Sequence, residues 1–205
     1  MQVKTFYIVG GDGYNSYGKP FIDYGMVETQ SAKEADVLVF CGGVDVHPSF
    51  YGVEAVYHES NYNISRDKRE AELYGDYPEK WKVGICRGSQ FLNVMNGGTL
   101  IQDMQGHAVG RQHTATFNGN TYDVTSTHHQ GSILGDGGLL LSESVEKLSK
   151  EYVLAPDIMT DDEIEVEAYI YPDTKTIGMQ FHPEFVDVDD SCAVLFRDIL
   201  KQEMG

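Results

Sequence analysis

The chain has 205 residues, of which 41% are hydrophobic, enough for one α/β domain with a full core. Its 15 Lys and Arg stand against 32 Asp and Glu, which gives a formal net charge of -17. This excess of negative charge argues against a nucleic-acid partner and an anionic membrane surface, because both require clustered basic side chains. No apolar stretch approaches the roughly 20 residues of a membrane helix. We expect residues 1–205 to form a single globular domain that binds neither nucleic acid nor membrane.

The cysteine content and the first residues indicate a reducing cytoplasm. Cys41, Cys86 and Cys192 are odd in number and widely spaced, and they form no CxxC pair. The pattern therefore suggests neither a zinc site nor a disulfide framework. The segment Met1–Gly11 differs from a signal peptide, because its apolar run is short and ends at Gly-Gly without a small-residue cleavage site.

Apolar runs that end in glycine alternate with helix-like segments in the first half. Val3–Val9 and Ala35–Cys41 predict strands, and the second is nearly continuous in apolar residues, as expected for a strand buried on both faces. Arg66–Tyr74 favours a helix, and Val83–Cys86 predicts a short strand. The segment after that strand has helical spacing of its apolar residues and ends at Gly97-Gly98.

Hairpins and one final helix are predicted in the second half. Gln112–Phe117 pairs with Thr121–Thr125 across an Asn-Gly turn, and Glu163–Ile170 pairs with Thr176–Phe181. Asp189-Asp190-Ser191 supplies good N-cap residues for a helix with one apolar face. The fold class is therefore α/β: a three-layer sandwich with a mainly parallel central sheet, helices on both faces and an antiparallel edge.

The strongest local signal is Gly84-Ile85-Cys86-Arg87-Gly88, the cysteine form of the G-x-S-x-G nucleophile elbow. A sharp strand-to-helix turn leaves no space for side chains beside the nucleophile, so glycines flank it. The turn also places Cys86 at a helix N-terminus, whose partial positive charge favours a thiolate. Taken alone, the pentapeptide is also compatible with a buried cysteine in a tight turn.

A base for that thiol is predicted at His182, in Gly178-Met179-Gln180-Phe181-His182-Pro183-Glu184. His182 and Glu184 stand two residues apart at the end of an apolar strand. Residues i and i+2 of a strand lie on one side, so we expect the carboxylate to reach the imidazole. A histidine at a strand end is also a common surface residue, and only the combination with Cys86 makes a Cys-His-Glu triad the favoured interpretation.

Together these motifs resemble class I glutamine amidotransferases, and more narrowly the γ-glutamyl hydrolase and γ-glutamyl-GABA hydrolase branch, which is peptidase C26-like. The resemblance includes the Arg that follows the cysteine, which is typical of the hydrolase branch. Three further stretches match that branch in order: Gly42–Pro48 with Tyr51-Gly52, Arg66-Asp67 with Glu70, and Ser126–Gln130. The resemblance implies a flavodoxin-like class I glutamine amidotransferase fold.

The resemblance also implies roles for individual residues. The amides of Gly43 and Arg87 would form the oxyanion hole. Four residues would contact substrate: Gly42, Gln90, Ser126 and His128. His128 could instead be a satisfied polar loop residue, and Arg66, Asp67 and Glu70 could hold the fold through charge pairs rather than touch substrate.

The implied activity is cysteine-dependent hydrolysis of a γ-glutamyl amide bond, of glutamine or a γ-glutamyl amine, through a glutamyl-thioester. Its partner is a small γ-glutamyl substrate, and no metal or organic cofactor is required. The alternative is a glutaminase subunit that supplies ammonia to a separate synthetase or ligase. Three residues depart from the family pattern, and Ser89 in particular leaves the pocket size open: Cys41, Ser89 and Phe181.

Overall fold

The computed structural model describes residues 3–10, 15–55, 61–108, 110–153, 158–159 and 164–205. Met1, Gln2, Gly11 and Glu163, which the sequence predictions included, lie outside these ranges. The strands, in chain order, are β1 Thr5–Val9, β2 Val27–Glu28, β3 Val37–Phe40, β4 Trp81–Ile85, β5 Thr99–Ile101, β6 Asp103–Gln105, β7 Gln112–Phe117, β8 Asn120–Thr125, β9 Gly131–Ile133, β10 Leu139–Ser144, β11 Glu151–Val153, β12 Ile158–Met159, β13 Val166–Tyr171 and β14 Thr176–Met179. The α-helices are α1 Lys19–Asp23, α2 Ile64–Asp76, α3 Arg87–Met95 and α4 Ser191–Met204.

A nine-stranded sheet organises the fold, in the order β2-β1-β3-β4-β14-β13-β10-β7-β8. The first five strands in this order pair in parallel, and the pairs from β14 onward are antiparallel. The predicted α/β class with a parallel central sheet is confirmed, as are both predicted hairpins. The antiparallel part is wider than the predicted edge, because β10 inserts between β13 and β7.

The two faces of the sheet carry separate apolar cores. All four residues of β3 are fully buried, as its continuous apolar run predicts. Val37 and Val39 face the core beneath α1 and α4, whereas Leu38 and Phe40 face the core beneath α2 and α3. Each such side chain stabilises the fold by about 1.5–3 kcal/mol through burial. The ring of Phe40 stacks on Phe91 at 5.8 Å between centroids, which seats α3 on the sheet.

Two small sheets extend the antiparallel side: β12-β11-β6 and β5-β9. Gln180, which follows β14 directly, donates from Nε2 to the Gln130 carbonyl at 3.5 Å, so the loop after β8 lies beside the carboxyl end of β14. None of the helices in the described ranges combines the length and apolar character that crossing a lipid bilayer requires.

Candidate active site

The turn between β4 and α3 places Cys86 at the amino end of a buried helix. Cys86 has φ 53° and ψ -114°, a backbone conformation that L-residues rarely adopt, and its exposure is only 8%. A Cβ atom on Gly88 would overlap the carbonyl oxygen of Phe40, and one on Gly84 would lie 2.5 Å from the carbonyl carbon of Gly88. These positions therefore require glycine, as the elbow pattern predicts, and the helix N-terminus contributes positive potential at the thiol.

His182 and Glu184 follow β14, the parallel neighbour of β4. Met179 pairs with Ile85, so the two strands end side by side. The Nδ1 atom of His182 lies 2.6 Å from Oε1 of Glu184, and the Cys86 thiol lies near enough to the same ring to raise its pKa. The structure thus brings the three predicted triad residues together.

The backbone route to this arrangement differs from the prediction. The strand was expected to run to Phe181 and to place His182 and Glu184 on one side of extended backbone. It ends at Met179, and a 3₁₀ turn over Pro183–Phe185 returns the carboxylate to the imidazole. The geometric reason given for the contact is therefore wrong, although the contact itself is present. Pro183 favours the turn because its fixed φ suits the first helical position.

Several groups orient the imidazole of His182. Its backbone N–H donates to Oγ1 of Thr125 at 2.7 Å, and the ring of Phe185 stacks on it with centroids 4.3 Å apart. Burial alone would lower the pKa of His182, but hydrogen bonds and charge interactions with Cys86 and Glu184 outweigh burial and raise it to about 10. The imidazolium is therefore the favoured form at neutral pH.

The loop after β3 presents Gly42 and Gly43 beside the triad. A Cβ on Gly42 would overlap the hydroxyl of Tyr17 and lie 3.2 Å from Cε1 of His182, so only glycine fits. Arg66 donates from Nη1 to the Gly42 carbonyl at 2.9 Å and from Nη2 to the Cys41 carbonyl at 2.7 Å. In a trans peptide the N–H points opposite to the C=O. The hydrogen bond from Arg66 to the Gly42 carbonyl therefore directs the Gly43 N–H away from Arg66.

A buried charge network links that loop to the elbow. Arg66 Nε lies 2.7 Å from Glu70, and the Arg87 guanidinium pairs with both Asp67 and Glu70. Asp67 also accepts from the backbone N–H of His47 at 3.0 Å. Two positive and two negative charges cancel within the network. The partners of Arg66, Asp67 and Glu70 favour the structural interpretation of these residues over direct substrate contact.

Comparison with known proteins places this geometry in a family. The family model for peptidase C26 matches residues 20–184. The chain belongs to the peptidase C26 family. The predicted class I glutamine amidotransferase-like membership is confirmed, whereas the γ-glutamyl hydrolase branch stays a prediction.

The chain of this peptidase C26 protein spans half or less of the length of two curated relatives that it resembles. A Mycobacterium tuberculosis protein provisionally named a glutamine amidotransferase is 32% identical over 72% of the chain and half of its own length. The GMP synthase [glutamine-hydrolyzing] of Phocaeicola vulgatus is 24% identical over 85% of the chain, which spans 34% of that protein. Among solved structures, PurLQS from Thermotoga maritima aligns with a TM-score of 0.65 at 14% identity, over 98% of this chain and 99% of that chain. That likeness shows a shared fold.

The predicted substrate-binding side chains already have partners within the peptidase C26 domain. Gln90 donates from Nε2 to the Gln130 carbonyl at 3.1 Å, and Nδ1 of His128 lies 3.0 Å from the same carbonyl. The Ser126 hydroxyl donates to the carbonyl of His107. We call these three buried side chains the proposed substrate wall, and their contact with substrate remains a prediction.

The departures from the family pattern are buried. Ser89 and Phe181 are both fully buried, and the Ser89 carbonyl accepts from the hydroxyl of Tyr169. Cys41 is fully buried beside the site, and Cys192 lies on α4 with its thiol in the core. Burial raises the pKa of both thiols, that of Cys192 to about 12, so both are inert at neutral pH.

Three neighbours of the triad were not predicted from sequence: Tyr17, Thr125 and Phe185. Tyr17 comes from a segment far upstream, and no local pattern connects it with Cys86. Thr125 precedes the Ser126–Gln130 motif by one residue and Phe185 follows Glu184 directly, so adjacency to a motif was the available signal.

Proposed function

We propose that this peptidase C26 protein hydrolyses a γ-glutamyl amide bond through a glutamyl-thioester on Cys86. The observation that carries the proposal is the 2.6 Å contact between His182 and Glu184 beside the Cys86 thiol, which contributes to the raised pKa of His182. An imidazolium and a helix N-terminus beside one thiol favour its thiolate, which is the attacking species.

The steps of the proposed reaction follow from the positions of Glu184, His182 and Cys86. Nδ1 of His182 is held by Glu184, so Nε2 is left for the thiol proton. Sγ of Cys86 attacks the γ-carbonyl carbon, and the resulting oxyanion accepts from the amides of Gly43 and Arg87. The C–N bond then breaks as His182 gives its proton to the leaving amine. Water attacks the thioester while His182 takes a proton, and the acid product leaves with the thiol restored.

The favoured substrates are γ-glutamyl amines rather than glutamine. Support comes from the residues shared with the γ-glutamyl hydrolase branch, namely Arg87 after the nucleophile and the Gly42–Pro48 segment. The structure explains why position 87 requires an arginine, because its guanidinium pairs with both Asp67 and Glu70 beneath the loop that carries Gly42 and Gly43.

A glutaminase that supplies ammonia to a separate synthetase or ligase is the second candidate. It is favoured by the similarity to the GMP synthase of P. vulgatus, in which the chain spans only 34% of the length. In this case the isolated chain would turn over glutamine, and a ligase would be the partner.

The experiment is a product-release assay on the isolated chain with glutamine, γ-glutamyl-GABA, γ-glutamyl-putrescine and poly-γ-glutamate. We expect release from the γ-glutamyl amines and poor turnover of glutamine. The matched control is Cys86→Ala, in which loss of the nucleophile lowers kcat by about 10⁴-fold or more. Faster turnover of glutamine than of every γ-glutamyl amine would favour the ammonia donor. Release that persists in folded Cys86→Ala would refute the thioester mechanism.

A further inference from the structure

A cluster of three histidines and two glutamates is buried next to the proposed substrate wall. We call it the His–Glu cluster: His107, His113, His128, Glu165 and Glu167. All five side chains are at least nine-tenths buried. They come from four separate places, the turn after β6, strand β7, the loop after β8, and the beginning of β13. No step of the proposed reaction uses His107, His113 or either glutamate.

Three imidazole nitrogens converge on one carboxylate oxygen. From Oε1 of Glu167, Nε2 lies 2.8 Å away in His113, 3.6 Å away in His107 and 3.9 Å away in His128. One ligand atom each from His107, His113 and Glu167 lie within 4.8 Å of one another. In a tetrahedral zinc site with bonds of about 2.0–2.1 Å, neighbouring ligand atoms are about 3.4 Å apart. The observed distances of 2.8, 3.6 and 3.9 Å from Oε1 of Glu167 lie on both sides of that value.

The outer contacts fix which nitrogens are free to ligate. Nδ1 of His128 lies 3.0 Å from the Gln130 carbonyl, which can only accept, so Nδ1 carries the hydrogen and Nε2 presents a lone pair. Nδ1 of His107 lies 3.3 Å from Oε2 of Glu165. This is the carboxylate–histidine arrangement that orients metal-bound imidazoles.

The cluster leaves buried polar atoms without partners. Among the described residues, both ring nitrogens of His107, Nε2 of His128 and Oε2 of Glu167 have no hydrogen bond. A lone pair that faces a carboxylate is repelled by it unless a cation lies between them, and a buried polar atom without a partner destabilises the fold. One divalent cation would neutralise Glu165 and Glu167 together and would give these atoms a common partner.

We propose that His107, His113 and Glu167 bind a divalent transition-metal ion, with zinc best suited to this nitrogen and oxygen donor set. Nε2 of the two histidines and Oε1 of Glu167 are the ligand atoms, and Glu165 lies next to His107. The site is buried and no step of the proposed reaction uses it, so the role of the ion is structural. It ties the turn after β6 to β7 and β13, and the ring of His128 packs on His107 with centroids 4.3 Å apart. Gln130, in the loop that carries His128, contacts Gln90, one helical turn after Cys86.

The test measures metal content in the full chain, purified without a polyhistidine tag. Protein is stripped with a chelator, reloaded with Zn²⁺, dialysed and assayed by plasma mass spectrometry. We expect one zinc per wild-type chain and a higher melting temperature with zinc than with chelator. Glu167→Gln keeps the side-chain shape and should lose zinc binding. Glu165→Gln alters only the outer contact and should weaken zinc affinity about 10- to 100-fold. The matched control is His47→Gln, a partly exposed histidine outside the cluster, which should retain zinc.

Two results would overturn the proposal. In the first, reloaded wild-type protein retains no zinc and melts at the same temperature with zinc and with chelator; a proton on an imidazole would then hold the carboxylates together. In the second, His47→Gln and Glu167→Gln lose zinc equally, which would place the binding outside the cluster. The comparison of wild-type protein with and without zinc needs no variant, so it decides the question even if Glu167→Gln fails to fold.

Discussion

Replacement of Arg66 by glutamine tests whether the buried charge network positions the oxyanion loop, as we call the loop after β3 that carries Gly42 and Gly43. The substitution removes the contacts to the Gly42 and Cys41 carbonyls and the ion pair with Glu70. Glu70 then has only Arg87 as a cationic partner, and Arg87 must also neutralise Asp67. The network changes from neutral to a net charge of -1 within a buried space.

The expected losses of stability and of kcat follow from these broken contacts. Breaking a buried ion pair costs about 3–5 kcal/mol, and hydrogen bonds from a charged donor contribute about 1.5–3 kcal/mol each. These terms describe overlapping contacts, so we expect about 4 kcal/mol less stability for Arg66→Gln. The Gly43 amide also loses the anchor that sets its direction. Loss of one oxyanion donor lowers kcat by about 10²–10³-fold, and we expect a fall of this order.

The assay combines urea unfolding with release kinetics on the best γ-glutamyl amine. Arg69→Gln is the matched control, because Arg69 lies on the same helix but is exposed, and it should change stability by no more than about 0.5 kcal/mol. Arg66→Lys should fall between wild type and Arg66→Gln, because lysine keeps the charge without the fork that reaches two carbonyls. A folded Arg66→Gln with wild-type kcat would refute the link between the network and the oxyanion loop.

Further substitutions, with their controls, test the elbow and the imidazole. Cys86→Ala and Cys86→Gly should both be inactive, yet glycine relieves about 1–3 kcal/mol of strain at φ 53°. Urea midpoints should therefore show Cys86→Gly at least as stable as Cys86→Ala, and a clear deficit would contradict the strain. In Glu184→Gln, the His182 pKa should fall from about 10 because a stabilising charge is gone. The alkaline limb of kcat/KM should move to lower pH, and an unmoved limb would assign it to another group. The raised pKa also means that the stability advantage of wild type is full below about pH 6.5 and is lost as pH rises through about 10. Gly88→Ala forces a Cβ into a backbone carbonyl of β3 and should prevent folding. The control Gly75→Ala has open space in α2 and should stabilise the protein by up to about 1 kcal/mol. Equal soluble yields and melting temperatures for the two variants would contradict this expectation.

Local chemistry made much of the site predictable from sequence. The elbow is specified by five consecutive residues, because glycine at positions 84 and 88 is a steric requirement of the turn. The contact between His182 and Glu184 was also predictable, since the two residues are so close in the chain that either extended backbone or a turn brings them together. Which of the two occurs was not predictable, because the end of β14 depends on its pairing with β13.

Other features depend on contacts between distant segments and left no local signal. Strand β10 is a central antiparallel strand, but Leu139 and Leu140 are exposed and the segment follows a glycine-rich turn, so no alternating pattern marks it. The His–Glu cluster is assembled from separate elements, with His107 in the turn after β6 and His113 in β7. Known metal-ligand motifs are defined by short, fixed spacings in the chain, so they do not describe such a site. Sequence spacing therefore predicted no zinc site, while the three-dimensional arrangement supports one.

The proposed nucleophile and base follow β4 and β14, two hydrogen-bonded parallel strands that end side by side at Ile85 and Met179. Adjacent strands in any sheet are held about 4.8 Å apart by their backbone ladder. The separation of these two strand ends is therefore set by the ladder, and Cys86 and His182 continue the chain from them. Loops elsewhere around the rim could be lengthened, shortened or exchanged to accept a different amine, while the two strand ends would keep their spacing. This makes the domain a suitable starting scaffold for engineering new leaving-group specificity by loop grafting alone.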